Sequence, residues 1–229
     1  MFKNLGFKQD PDALSTLTEW SGRVVVDVGC GPGTLARALA DLGATVHAVE
    51  PDPEQATKNA QAPHSGVSFL QAPAEALPLE DGVADVVVLA RSLHHVALRR
   101  MDTALEEARR VLKPTGMLIV IEPDIHGQFS QLIRPFHDET VVRAFALEAL
   151  ERAQKHFEST EEIWFTSVGE YDSFDAFRDR MVGMTFSSHS AEKINCAEVH
   201  AAFEAGAVGE EYRFTNPMRM RVLRNPTQG

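Results

Sequence analysis

Apolar residues along the chain fall into short, valine-rich runs, and the segments between those runs carry apolar positions at helical spacing. The runs are residues 24–28, 44–49, 67–71, 84–90 and 117–121, each suited in length and composition to a strand buried on both faces of a parallel sheet. Between them, residues 34–42 form an Ala/Leu-rich helix closed by Gly43. Residues 98–112 set Leu105, Ala108 and Leu112 on one helical face before Lys113-Pro114-Thr115-Gly116 turns the chain. Ahead of the first strand, residues 10–20 space Leu14, Leu17 and Trp20 to share a face, with Asp10 before Pro11 as a cap. That helix either packs as core or folds over a ligand as a lid. Strands alternating with helices through short connections predict an α/β domain, doubly wound, with right-handed crossovers and its ligand at the carboxyl ends of the strands.

Beyond residue 122 the pattern changes, and aromatic and histidine residues become frequent, among them His126, Phe129, Phe136, His137 and Phe145. Residues 125–160 read as helices packed over the strand ends as a substrate cap, with helical spacing clearest over 141–155. A sixth strand follows at 162–171, then helices at 172–184 and 195–205. Residues 218–223 alternate Met218, Met220 and Val222 with Arg219 and Arg221, which predicts a seventh strand whose arginines form a solvated face and not a basic patch. Residues 225–229 look loose. The expected organisation is one domain over 1–229, with a core at 10–122, a cap region at 125–200 that includes the sixth strand, and a C-terminal strand at 210–224.

Composition narrows the partners. The chain has 229 residues, an apolar fraction of 44% and a net charge of −11. So acidic a chain lacks the clustered Lys and Arg that grip nucleic acid or an anionic membrane, and a small-molecule substrate is the expected partner. Its two cysteines, Cys30 and Cys196, form neither a disulfide framework nor a metal-ligand spacing, which fits a reducing cytoplasm. Residues 1–7 lack an apolar signal core, and no apolar run is long enough to span a bilayer.

The chemistry concentrates where the first strand runs into a glycine-rich turn. A dinucleotide fingerprint needs a small residue where Thr34 stands, and Gly33 comes one place early. A phosphate-cradling loop needs a Lys after its last glycine, and there is none. Asp-x-Gly-x-Gly-x-Gly is satisfied in full by Asp27, Gly29, Gly31 and Gly33. A carboxylate at the mouth of the turn repels a pyrophosphate and suits a ligand bearing an ammonium and a sulfonium. Glu50, followed by Pro51 at the end of the second strand, is placed to take hydrogen bonds from ribose hydroxyls.

With this turn and the run Arg-Val-Leu-Lys-Pro-x-Gly at 110–116, residues 23 to about 122 resemble the class I S-adenosylmethionine-dependent methyltransferases, in particular the type 11-like, small-molecule branch. The resemblance implies a seven-stranded, mostly parallel, Rossmann-like sheet of order 3-2-1-4-5-7-6 with a helical cap insertion, and S-adenosylmethionine as cofactor. It places Asp27, Gly29, Cys30, Gly31, Gly33, Glu50, Pro51, Ala74, Glu75 and Arg91 against that cofactor. Cys30 stands there as a small packing residue and not as a redox group. The family's loop after the third strand carries an adenine-binding Asp where this chain has Pro73, so Glu75 or a backbone carbonyl takes over, while the Ala74 N–H donates to the ring. Arg91 would pair with the methionine carboxylate of the cofactor or with an acidic substrate.

Methyl transfer from a sulfonium depends on positioning, and a hydroxyl acceptor also needs a base. His95 leaves the fourth strand and Glu122 the neighbouring fifth, and the expected dyad is His95 as proton acceptor oriented by Glu122. His126 and His137 are expected to line the cap, and their spacing gives no reason to expect a metal. Residues 90–93, Ala-Arg-Ser-Leu, lack the Asn/Asp-Pro-Pro-Tyr run that marks exocyclic and amide nitrogen acceptors in the family. The expected function is methyl transfer to a small molecule, with O-, N- and C-methylation all open. The alternatives are a protein or RNA methyltransferase with a partner subunit, and a cofactor-binding regulatory protein without turnover.

Overall fold

The valine-rich runs form the centre of one sheet. A computed structural model of the chain describes residues 3–185 and 189–227. Expectations for residues 1–2, 186–188 and 228–229, including parts of the cap region and the loose end, lie outside the described residues. The strands are β1 (Lys3–Phe7), β2 (Val24–Val28), β3 (Thr45–Glu50), β4 (Val67–Gln71), β5 (Ala84–Ala90), β6 (Leu112–Pro123), β7 (Phe157–Tyr171), β8 (Ala207–Val208) and β9 (Glu211–Pro226). Their order is β4-β3-β2-β5-β6-β9-β7-β1, with β8 paired to β9. β2 to β6 pair in parallel, and β9 runs antiparallel to both β6 and β7. The implied order of seven strands is present, and two strands are added to it.

β1 and the outer parts of β7 and β9 escape apolar patterning. β1 pairs in parallel with the outer edge of β7 and is exposed along nearly its whole length, so no alternation announces it. β7 and β9 pair from Phe157 opposite Pro226 to Tyr171 opposite Tyr212, so β7 begins ahead of the expected 162–171 and β9 runs past the alternating residues 218–223, close to the 210–224 expected for the C-terminal strand. The ladder continues through polar residues such as Glu158, Ser159 and Thr160, because main-chain hydrogen bonds do not need apolar side chains. Asn225 and Pro226, expected to be loose, belong to β9.

The helices are α1 (Asp10–Leu14), α2 (Thr34–Asp41), α3 (Pro53–Ala60), α4 (Met101–Val111), α5 (Gln128–Ile133), α6 (Thr140–Ala153), α7 (Phe174–Val182), α8 (Ala191–Ile194) and α9 (Ala197–Glu204). α1 stops well short of the expected residue 20. The Ser15 hydroxyl donates to the Asp12 carbonyl and Thr16 to the Ala13 carbonyl, which draws the backbone into turns. Leu14 and Trp20 are nevertheless both buried in the core on one face of the sheet. α1 therefore packs as core.

α6 lies along α4, and its Ala146, Ala149 and Leu150 join the core of the opposite face. A third apolar cluster joins α5, α7, α8 and α9 to the ends of β7 and β9, with Phe177, Phe203, Phe214 and Tyr171 at its centre. Tyr171 meets Phe177 edge to face at 5.3 Å between ring centroids, a favourable aromatic geometry. This cluster stands over the strand ends and forms the roof of the site. Arg219 and Arg221 are half-buried and not solvated: Arg221 Nε lies 2.6 Å from Glu162, and Arg219 lies over the Trp164 ring.

Candidate active site

β2 passes into its glycine turn under tight packing. Gly29 and Gly33 have left-handed φ of 72° and 76°. A Cβ on Gly29 would meet Ser92 Cβ at 2.6 Å, and one on Gly33 would meet the Phe69 ring at 2.6 Å. Glu50 holds the turn from the next strand: its carboxylate accepts from the Gly31 N–H at 2.8 Å and from the Asp52 N–H at 2.9 Å. The buried Asn59, which no sequence motif marks, donates its amide to the Gly31 carbonyl at 2.8 Å. Glu50 and Asn59 thus brace Gly31 from both sides.

Asp27 lies at the base of the turn, 1% exposed, and its Oδ2 has no hydrogen-bond partner among the described residues. Burial first, then the carboxylates of Glu50 and Asp10, push its pKa up to about 7. Burial and the same Asp27 raise the Cys30 thiol further, which keeps it protonated and unreactive. A buried carboxylate with one unpartnered oxygen can receive a ligand cation. The donor set fits the ammonium end of S-adenosylmethionine and does not fit a pyrophosphate.

Pro51 is exposed at the end of β3, and Ala74 and Glu75 are half-buried after β4, along the same sheet edge. Their loop is tied down by the Arg-Val-Leu-Lys-Pro-x-Gly motif: Arg110 donates to the carbonyls of Leu77 and Leu79, and Glu107 accepts from the Leu77 N–H. Arg91, expected to pair with the methionine carboxylate of the cofactor or with an acidic substrate, is engaged within the chain. It makes a two-pronged pair with Asp10, at 2.9 and 2.8 Å, and also donates to Ser167 at 3.2 Å. Its own φ is 58°, an uncommon value for a residue with a side chain.

The histidine pair is arranged differently from the expected dyad. Glu122 bonds Nδ1 and the backbone N–H of His94, not His95. The two adjacent residues leave a short 3-10 turn, Leu93–His95, with ring centroids 4.1 Å apart, and His94 is buried while the His95 side chain is 35% exposed. Glu139, absent from the sequence expectations, gathers the rest. Its Oε1 lies 3.3 Å from His94 Nε2, 3.9 Å from His95 Nδ1 and 2.8 Å from His137 Nε2, and its other oxygen accepts from Arg143. The buried Arg143 one helical turn after an acid was the signal available in the sequence.

Burial alone would lower the His94 pKa, but Glu122 and Glu139 outweigh it and hold the ring protonated, at about 9. Burial and then the charge on His94 lower His95 to about 4, so His95 is neutral at pH 7. Ligand atoms of His94, His95 and Glu139 lie within 4.8 Å of one another, as in a three-ligand metal set. Both ring nitrogens of His94 and both oxygens of Glu139 already have protein partners, so a cation there would displace a proton and break ion pairs.

These groups line a cleft of about 180 Å³ under the aromatic roof, which Arg91 and His95 share with Phe129, Phe136, Met181 and Met184. A second cleft of about 220 Å³, between α4 and the end of α6, has none of these residues. His137 lines the first cleft, as expected; His126 is not among its lining residues.

A family model described as a methyltransferase domain matches residues 26–120. An uncharacterized methyltransferase of Mycobacteroides abscessus is 39% identical over 105 residues, which are 43% of this chain and 39% of the relative. The ubiquinone/menaquinone biosynthesis C-methyltransferase UbiE of Rubrivivax gelatinosus is 30% identical over 118 residues, 52% of this chain and 45% of the relative. The chain thus spans less than half the length of these curated relatives. Among solved structures, the YcgJ protein of Bacillus subtilis aligns at TM-score 0.64 and 18% identity over 95% of this chain and 97% of that one. The [4+2]-cyclase SpnF aligns at TM-score 0.60 and 21% identity over 95% and 81%. Both structural likenesses concern the fold. With the glycine turn and the sheet order, the family match makes residues 26–120 similar to a methyltransferase domain.

Proposed function

We propose that the chain binds S-adenosylmethionine at the glycine turn and methylates a small molecule held in the cleft beside it. The observation that carries this is Asp27, a buried carboxylate with one oxygen unpartnered, at the end of the central strand. Asp27 receives the cofactor's ammonium, while the main chain of Gly29, Cys30, Gly31 and Gly33 allows close approach. Glu50 keeps lone pairs for ribose hydroxyls beyond the two backbone bonds it accepts, and Pro51, Ala74 and Glu75 flank the base. When bound, the cofactor supplies an electrophilic methyl group on a sulfonium.

The family match ends at residue 120, so the acceptor is selected by residues beyond it, in β6 and the roof. His95, neutral at pH 7 and exposed in the cleft, accepts the acceptor's proton, with Glu139 as the nearby carboxylate in place of Glu122. The likeness to a cyclase rests on fold alone and assigns no reaction. Net charge −11 favours a small acceptor over a nucleic acid or a membrane surface, and two free cysteines fit the cytoplasm. Among the described residues no helix is long and apolar enough to cross a membrane.

Calorimetric titration with S-adenosylmethionine, S-adenosylhomocysteine and NADH tests the cofactor, and methyl-labelled cofactor with a metabolite extract tests the acceptor. The first two ligands should bind and NADH should not, with label passing to a product of low mass. Replacing His95 by Ala should lower turnover by about 10²- to 10⁴-fold and leave S-adenosylhomocysteine binding intact. Binding of NADH alone overturns the cofactor assignment. Label in protein or RNA overturns the acceptor class, and tight binding without any product overturns the activity.

A further inference from the structure

The arginines around the cleft are not equivalent. Arg91 is paired with Asp10 and Arg143 with Glu139. Arg180, on α7, is in no ion pair among the described residues, although its own helix carries Asp175 and Asp179. Both acids are taken by Arg178, at 2.6 and 2.9 Å. In a chain with 33 acidic and 22 basic residues, an arginine at a cleft without a carboxylate is against the balance of partners.

Its position is also defined. The guanidinium carbon stands 5.6 Å from the centroid of the Tyr171 ring, and that ring is 6% exposed and anchored in the roof. A guanidinium over an aromatic face is oriented by the ring while its in-plane N–H donors stay available to a second partner. A second unmet polar group lines the same cleft: Asn216 is 4% exposed, and its side-chain oxygen has no hydrogen-bond partner among the described residues. Between these polar groups the walls are Phe129, Phe136, Met181 and Met184, aromatic and thioether surfaces that adapt to an apolar body.

We propose that Arg180 is the anion-binding residue of this cleft, so that the methyl acceptor is a small carboxylic acid with an apolar, ring-sized body. Arg180 takes the carboxylate in a two-pronged contact, Asn216 accepts a hydroxyl or N–H of the same molecule, and the apolar body lies against the phenylalanines and methionines. This rests on reading the cleft as the acceptor site. It adds a charge requirement that the likeness to a methyltransferase domain does not contain.

The test uses 4-hydroxybenzoate and its uncharged counterpart 4-hydroxybenzamide, titrated into the full chain and into Arg180→Gln and Arg180→Lys, each with and without saturating S-adenosylhomocysteine. The acid should bind the unaltered chain roughly 10- to 100-fold more tightly than the amide, the range set by a charge-assisted hydrogen bond. Arg180→Gln should abolish that preference and Arg180→Lys should keep part of it, with S-adenosylhomocysteine affinity unchanged in both as evidence of an intact fold. Equal binding of acid and amide, a preference that survives in Arg180→Gln, or no binding of either overturns the proposal. Failure of S-adenosylhomocysteine to bind would instead strike the cofactor assignment, and the acid-to-amide ratio measured without it would still judge Arg180.

Discussion

Glu122, at the end of β6, accepts the backbone N–H of His94 at 3.3 Å and bonds the Nδ1 of the same residue, joining the ends of two neighbouring strands through one buried ion pair. Glu139 closes the other side of the ring, so the imidazolium lies between two carboxylates and Arg143 balances the second. This charged knot forms the floor of the cleft on which the exposed His95 stands.

Breaking the knot should destabilise the fold. His94→Ala leaves two buried carboxylates short of a partner and should cost about 3–5 kcal/mol in urea unfolding. The pH dependence has a definite sign. The His94 pKa is raised from 6.5 to about 9 in the folded chain, so its stabilisation is complete below pH 6.5 and is lost as pH rises towards 9. The loss should be on the order of 3 kcal/mol, and it should shrink in Glu122→Gln.

Asp27 should make cofactor affinity depend on pH near neutrality. Its pKa is raised from 3.8 to about 7, so the folded chain holds a proton that the unfolded chain has released, and its contribution to stability falls as pH rises from about 4 to 7. A ligand ammonium requires the ionised carboxylate. S-adenosylhomocysteine affinity should therefore increase by up to about tenfold per pH unit below pH 7 and level off above it. Asp27→Asn should bind weakly at all pH values and unfold less readily at pH 8; calorimetry and melting curves check both.

The glycines of the turn should differ in tolerance. Gly29→Ala places a methyl 2.6 Å from Ser92 Cβ at a φ of 72°, and should lower the melting temperature by roughly 5–10 °C. Gly31→Ala meets nothing within 4 Å and carries only backbone strain at a φ of 51°, for a drop of roughly 2–4 °C. Equal melting temperatures for the two variants would falsify the packing account of the turn.

Arg91 should act through α1. Arg91→Lys keeps the charge but loses the two-pronged contact with Asp10, at a cost of about 0.5–1.5 kcal/mol. The effect should be local. Amide exchange at Ala13 and Leu17 should speed up while that of Val26 and Val87, in the centre of the sheet, stays as it was.

Much of the fold was legible because its signals are local. Val24 to Val28, the Asp-x-Gly-x-Gly-x-Gly turn and the Arg-Val-Leu-Lys-Pro-x-Gly run each carry their own conformational reason within a few residues, and the central strands lie where the apolar runs place them. β1 was illegible because Lys3 to Phe7 bury little and gain their structure from the edge of β7. α1 was overestimated because Ser15 and Thr16 can turn their hydroxyls onto the backbone, a choice that spacing of Leu14, Leu17 and Trp20 does not register.

The site divides the same way. The expectations at the glycine turn rest on local signals, a carboxylate, three glycines and a second acid at fixed offsets that bring their chemistry with them. The charge partners come from tertiary packing: Glu122 with His94 and not His95, Asp10 with Arg91, Glu139 with three histidines, and Arg180 with none among the described residues. Adjacent residues in a turn can differ in burial, and a hydrogen bond depends on a few tenths of an ångström between groups far apart in the chain. Those distances are set by how β5, β6 and the roof pack together, and no local spacing encodes them.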